Sequence, residues 1–161
     1  MKPASALVIG IGNRLRGDDG VGALLAEQAA LWAAVDDPLS VRCVQQLTPE
    51  LAADLACCEV VLFIDAWLAP LPSGAAARPR LDRLEPEASE LGGFHRLPPG
   101  QLLAISQMLY GCCPQADLLR VPAHALEHGT ALSGPLRAQL PAAQALLHHW
   151  LLEVACSSSH A

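Results

Sequence analysis

The sequence predicts a three-layer α/β/α sandwich on a mainly parallel, doubly wound sheet, with room for one antiparallel strand at its edge. Three observations predict it. Strand-like runs near residues 6–11, 41–47, 60–64 and 117–121 alternate with helical periodicities, the order that builds parallel βαβ units. The run Val60-Val61-Leu62-Phe63-Ile64 is apolar throughout, as a strand covered on both faces must be. With 161 residues, 52% of them hydrophobic, and no internal repeat or linker, the chain has material for one core and one domain spanning 1–161.

Each element has a local reason. Ala6 to Ile11 is a short apolar run bounded by Pro3 and by Gly10 and Gly12, the pattern of a first strand. Val21, Leu24, Leu25, Ala29 and Trp32 recur at helical spacing between Gly20 and Ala34, and Asp36-Asp37-Pro38 closes that helix. A second strand is expected over Val41 to Leu47. Thr48-Pro49-Glu50 then supplies a capping hydroxyl, a proline at the first helical position and an early acid, predicting a helix over 49–57.

The third strand, 60–64, ends at Asp65. Residues 68–80, rich in Pro, Ala and Gly, predict a loop, followed by an edge strand near Leu81 to Leu84. Pro98-Pro99 opens a helix with the stripe Leu102, Leu103, Ile105 and Leu109, which Gly111 stops. After a strand at 117–121, Ser133 caps a last helix whose stripe is Leu136, Leu140, Ala143, Leu147, Trp150 and Val154. Pro141 inside it predicts a kink or a split, and the tail from about residue 156 should fray.

Composition excludes several classes. A net charge of −6 with only ten Lys and Arg leaves no basic footprint for nucleic acid or an anionic membrane. No segment approaches the roughly 20 uninterrupted apolar residues of a membrane helix, and the opening apolar stretch is too short for a signal peptide. A cytoplasmic protein is expected. Its six cysteines include the adjacent pairs Cys57-Cys58 and Cys112-Cys113 without CxxC spacing, so they read as reduced apolar fillers or surface residues.

The stretch VIGIGNRLRGDDGVG, residues 8–22, carries the chemistry. Gly10-x-Gly12 after a strand suggests a pyrophosphate turn. The third glycine of that fingerprint would fall on Leu15, and Asp18-Asp19 would set two negative charges where phosphate sits. No GK[ST] element occurs either, so a nucleotide-binding domain is disfavoured.

Ligands of doubly wound sheets bind outside the carboxyl ends of the strands where the winding reverses. Asp18, Asp19 and Asp65 all belong to that edge. Two carboxylates meeting there repel unless one holds a proton or a cation lies between them. One imidazole would complete an O,O,N set suited to nickel or zinc. His95, after two glycines and before a helix start, can reach the strand ends; His124 and His128 are weaker candidates, and His148, His149 and His160 read as exposed. The plainer alternatives stand beside this: Asp18 or Asp19 as the cap of helix one, and Asp65 as a strand-end cap.

Together these residues resemble the [NiFe]-hydrogenase maturation endopeptidases. The resemblance rests on Gly10-Ile11-Gly12-Asn13-x-Leu15-x-x-Asp18-Asp19-Gly20-x-Gly22, on QLTPELA (Gln46 to Ala52), on the apolar strand ending in Asp65-Ala66, and more loosely on FHRLPPGQLLAISQMLYG and GTALSGPL. It implies a metal site of Asp19, Asp65 and His95, with Asp19 standing where the family often has Glu. It implies Asp19 and Asp65 as catalytic residues, and substrate contacts from Gly12, Asn13 and Asp18. With Asp19 assigned to the metal, the residue pattern leaves Asp18 as the cap of helix one. The implied activity is removal of the C-terminal extension of a hydrogenase large-subunit precursor, by a monomer that uses nickel already carried by the substrate; another divalent metal would substitute in a crystal. The alternative expectation is a non-catalytic chaperone or docking module for the same precursor.

Overall fold

A computed structural model of the chain describes residues 6–33, 38–68, 77–88 and 96–158. Strand β1 (Ala6–Ile11) leads through a 3-10 turn at Gly17–Gly20 into helix α1 (Val21–Trp32), and β2 (Leu39–Val44) follows. A second 3-10 turn, Pro49–Leu51, opens α2 (Ala52–Ala56), which precedes β3 (Val60–Leu68) and β4 (Arg80–Leu84). Helix α3 (Pro99–Tyr110), β5 (Gln115–Ala123) and α4 (Gly134–Ser158) complete the chain. The strands form one sheet in the order β2-β1-β3-β5-β4. Every pairing is parallel except that of β4 with β5. The architecture is thus the α/β/α sandwich expected, with its antiparallel strand at the edge.

Alternation along the strands builds two cores. Ala6 and Val8 of β1, Leu62 and Ile64 of β3, and Leu119 and Val121 of β5 face α1 and α4. Leu7, Ile9, Ile11, Val61, Phe63 and Leu118 face α2 and α3 on the other side. All six residues of β1 are buried, whereas β2 is only partly covered. A continuous apolar run therefore marks the centre of this sheet and a mixed run its edge.

Helix α1 lies on bare backbone. A Cβ on Gly22 would strike the carbonyl oxygen of Ile11 and stand 2.6 Å from that of Ile64, and one on Gly10 would stand 2.7 Å from the Ala26 Cβ. Both glycines are what allow the helix to approach the β1–β3 seam this closely. Sheet order reverses at that seam, so the loop entering α1 is drawn down over the switch point.

Several local expectations change. Strand β3 does not end at Asp65 but continues to Leu68, because its last four residues pair with Arg120 to Ala123 of β5. Trp32 is 43% exposed and meets His148 edge-on at 6.0 Å instead of entering the core. Leu109 is 61% exposed, since the whole last turn of α3 lies at the surface and the buried stripe includes Ser106 instead. The Thr48 hydroxyl makes no capping bond to its helix. Pro141 does not split α4, whose single run carries it on an exposed face, where water can reach backbone groups the ring leaves unpaired. Ser157 and Ser158 are still helical, and residues 159–161 lie outside the described set. No helix is long and apolar enough to cross a membrane among the described residues.

Candidate functional site

The site forms at the β1–β3 seam, where the loop after β1 meets Asp65 of β3. After Ile11, Gly12 adopts φ +132°, and a side chain there would collide with the main-chain oxygen of Asp19. Only glycine lets the chain turn back beneath the acid. The next residue, Asn13, orders the loop twice. Its side-chain oxygen accepts the Leu15 N–H at 2.9 Å, an Asx turn, and its own N–H donates to Asp19 Oδ2 at 2.7 Å. The backbone thus holds one Asp19 oxygen while the side chain remains half-exposed, lining a cleft.

Asp65 comes from the neighbouring strand. The ladder between β1 and β3 ends with Gly10 opposite Ile64, so Asp65 is the first β3 residue without a β1 partner. Its Oδ1 is buried and accepts no hydrogen bond among the described residues. Burial pushes the carboxyl up to about 6; the Arg96 guanidinium opposes that rise, Asp19 adds to it, and the Ala66 N–H opposes it weakly. An unpaired buried carboxylate oxygen is costly and rare in folded proteins, and it marks a place where a proton or cation belongs.

The two acids open into adjoining hollows. A cleft of about 470 Å³ is lined by Asn13, Arg16, Asp19, Gln45, Gln46 and Arg96. A second, of about 270 Å³, holds Asp65 among apolar walls that include Ile11, Leu47 and Leu97. Arg96 borders both. The result is one polar basin and one apolar basin meeting at a guanidinium, with a carboxylate in each.

Asp18 is not part of this surface. It is fully buried, and its carboxylate accepts four bonds: from the His124 N–H (2.8 Å) and Ala125 N–H (3.0 Å), and from the Ser133 N–H and hydroxyl (both 2.7 Å). Burial alone would raise its pKa, but these donors outweigh it and hold the carboxyl below its usual range. The expectation that Asp18 caps helix one or touches substrate is therefore corrected. No side chain caps the 3-10 turn or α1, and no oxygen of Asp18 reaches solvent. It clamps the site loop to the segment between β5 and α4, where Ser133 also accepts the Leu136 N–H at 3.2 Å and so caps α4 as predicted.

Of the residues the sequence nominated, Asp19 and Asp65 come together at the sheet edge, close enough for the charge of one to act on the other. Asn13 lines the cleft, while Gly12 is buried and shapes it. His95 lies outside the described residues, as do residues 89–94. Among the described residues, no three His, Cys, Asp or Glu side chains gather to hold a metal ion. What they supply is a carboxylate pair with one vacant oxygen, a donor set that fits the acid half of an O,O,N site. His124 and His128 are exposed in the loop after β5. Sequence reading missed Arg16, Arg96 and Gln45 as cleft residues; the signal available was the scarcity of cations in an acidic chain.

Compared with known proteins, the sequence matches no family model and no curated protein. The fold does. A [NiFe] hydrogenase maturation protease HycI from Thermococcus kodakarensis KOD1 superposes with a TM-score of 0.67 at 20% identity, covering 95% of this chain and 93% of that one. The hydrogenase maturating endopeptidase HybD from E. coli gives 0.71 at 20% identity, covering 92% and 93%. A hydrogenase 2 maturation peptidase from Thaumarchaeota archaeon SCGC_AB-539-E09 gives 0.63 at 25% identity, covering 91% and 97%. The chain has the fold of the hydrogenase maturation proteases across nine-tenths of its length.

Proposed function

We propose that this chain is an endopeptidase that removes the C-terminal extension of a [NiFe]-hydrogenase large-subunit precursor once nickel has been inserted. The observation that carries the proposal is the half-buried Asp65 carboxyl, its Oδ1 buried and unpartnered near Asp19, at the switch point of a fold shared with hydrogenase maturation endopeptidases. In this reading the nickel is part of the substrate, and Asp19, Asp65 and His95 are the residues that meet it. The protein acts as a cytoplasmic monomer on one large partner surface.

The chain's own residues explain why a substrate cation would gate the reaction. With no cation present, burial and the neighbouring charge of Asp19 make the Asp65 carboxylate costly to ionise and push the carboxyl up to about 6, against the opposing Arg96 guanidinium. Asp19 and Asp65 would hold a divalent ion carried in by the substrate, whose charge would offset that cost and so fix the adjoining peptide against the cleft. Asn13 keeps Asp19 aimed by its backbone N–H. Polarisation of the scissile carbonyl or of a water is the chemistry the ion supplies. Asp19 or Asp65 then takes the proton of the attacking water as general base.

The test is to incubate the protein with nickel-loaded and nickel-free precursor and to read the precursor's mass. Loss of the extension only from the nickel-loaded form is expected. Equal cutting of both removes the gating role, and tight binding with no mass change replaces the peptidase with a docking module.

A further inference from the structure

Five arginines are neutralised by carboxylates of the same chain: Arg14 by Glu27, Arg42 by Asp54, Arg80 and Arg120 by Asp82, and Arg83 by Asp117. Arg16, Arg78, Arg96 and Arg137 are in no such pair among the described residues, and of these Arg16 and Arg96 share one cleft. Both are exposed, neither joins an ion pair among the described residues, and both line the 470 Å³ cleft beside Asp19. In a chain of net charge −6 with ten cationic side chains, this cleft sets two guanidiniums against the single carboxylate of Asp19 in its lining. Three carboxamides, from Asn13, Gln45 and Gln46, complete the lining. A carboxamide both donates and accepts, which suits it to the N–H and C=O groups of an extended main chain whatever its side chains.

We infer that this cleft is a subsite for a carboxylate of the substrate polypeptide, seated by Arg16 and Arg96 while Gln45 and Gln46 hold the neighbouring main chain. The guanidinium fork matches a carboxylate with paired donors, which an ammonium cannot do. Asp19 shares the cleft and would repel a second carboxylate, so the two guanidiniums are what make an anion acceptable there. The inference rests on the proposed function in taking the hydrogenase large-subunit precursor as the substrate polypeptide, and it adds a preference for acid close to the cut. That carboxylate is either an Asp or Glu side chain or the terminal carboxylate of the extension itself.

Binding of fluorescein-labelled peptides copying the C-terminal region of a hydrogenase large-subunit precursor, followed by anisotropy, tests it. Three versions are compared: native, Asp and Glu changed to Asn and Gln, and native with an amidated C-terminus. One of the two neutralised peptides should bind about tenfold more weakly than the native one, which identifies the carboxylate. The paired substitution Arg16→Gln with Arg96→Gln, both on exposed side chains, should abolish that difference, and added salt should shrink it. Equal affinity for all three peptides, no binding of any, or a preference that survives the paired substitution would overturn the inference. Processing of the full nickel-loaded precursor is measured alongside. Cutting without charge preference sinks the subsite alone, and charge preference without cutting sinks the peptidase reading alone.

Discussion

Replacing Asp18 by Ala should destabilise the fold by about 4 kcal/mol. Its carboxylate is fully buried and takes four donors from residues 106 to 115 positions away. At roughly 1 kcal/mol net per bond, the four sum to about 4 kcal/mol, a large share of the 5–15 kcal/mol typical of a domain. Asp18→Asn should cost less, about 2 kcal/mol, because an amide oxygen in the Oδ2 position still accepts there while the NH2 group faces the Ser133 N–H that Oδ1 now serves. Urea unfolding at pH 7 reads both values from the midpoints. The pH dependence has a fixed sign. Because the folded carboxyl titrates below its ordinary value of 3.8, its contribution is present above that pH and is lost as pH falls through the folded value. The gap between native protein and Asp18→Asn should therefore close in acid. A cost under about 1 kcal/mol for Asp18→Ala, or a gap that stays constant down to low pH, would refute the clamp.

Three other positions have equally definite consequences. Asp65→Asn should abolish precursor processing and, with chelator present, raise stability at pH 7 by up to about 3 kcal/mol. A carboxyl raised from 3.8 to about 6 binds protons more tightly folded than unfolded, so native stability falls as pH rises across that window while the variant's does not; thermal melts from pH 4 to 8 check this. Gly22→Ala drives a methyl against the Ile11 and Ile64 carbonyls, so it should cost about 2 kcal/mol or more in urea melts, although alanine is the better helix former. Cys58, half-buried with its thiol pushed up to about 12 by desolvation and then by the neighbouring Cys57 and Asp54, should be alkylated well after exposed Cys112 in a timed iodoacetamide digest.

The sequence made the sheet legible because strand burial writes itself into composition: β1 and the first half of β3 are uninterrupted apolar runs, and both lie at the sheet's centre. The glycine motif was legible as a turn, but its purpose was not. Gly10 and Gly22 serve a close helix–strand contact that no local pattern announces. Asp19 and Asp65 could be nominated because each follows an apolar strand run in sequence, Asp19 through the glycine turn after β1 and Asp65 directly after residues 60–64. The role of Asp18 could not, since all its partners lie over a hundred positions away and three of its four bonds come from backbone N–H groups. Beyond Asp65, β3 continues because β5 offers a partner ladder there, which a charged residue followed by a tryptophan does not disclose. Arg16 and Arg96 acquire meaning only when the fold brings two distant loops to one cleft.

The central claim is that Asp19 and Asp65 face a common cation. Anomalous diffraction at the nickel edge from crystals soaked in nickel tests it most directly. The account predicts one strong peak bonded to carboxylate oxygens of both Asp19 and Asp65, with His95 as third ligand, and its disappearance in Asp65→Asn. A peak elsewhere, or one that survives the loss of Asp65, would contradict it.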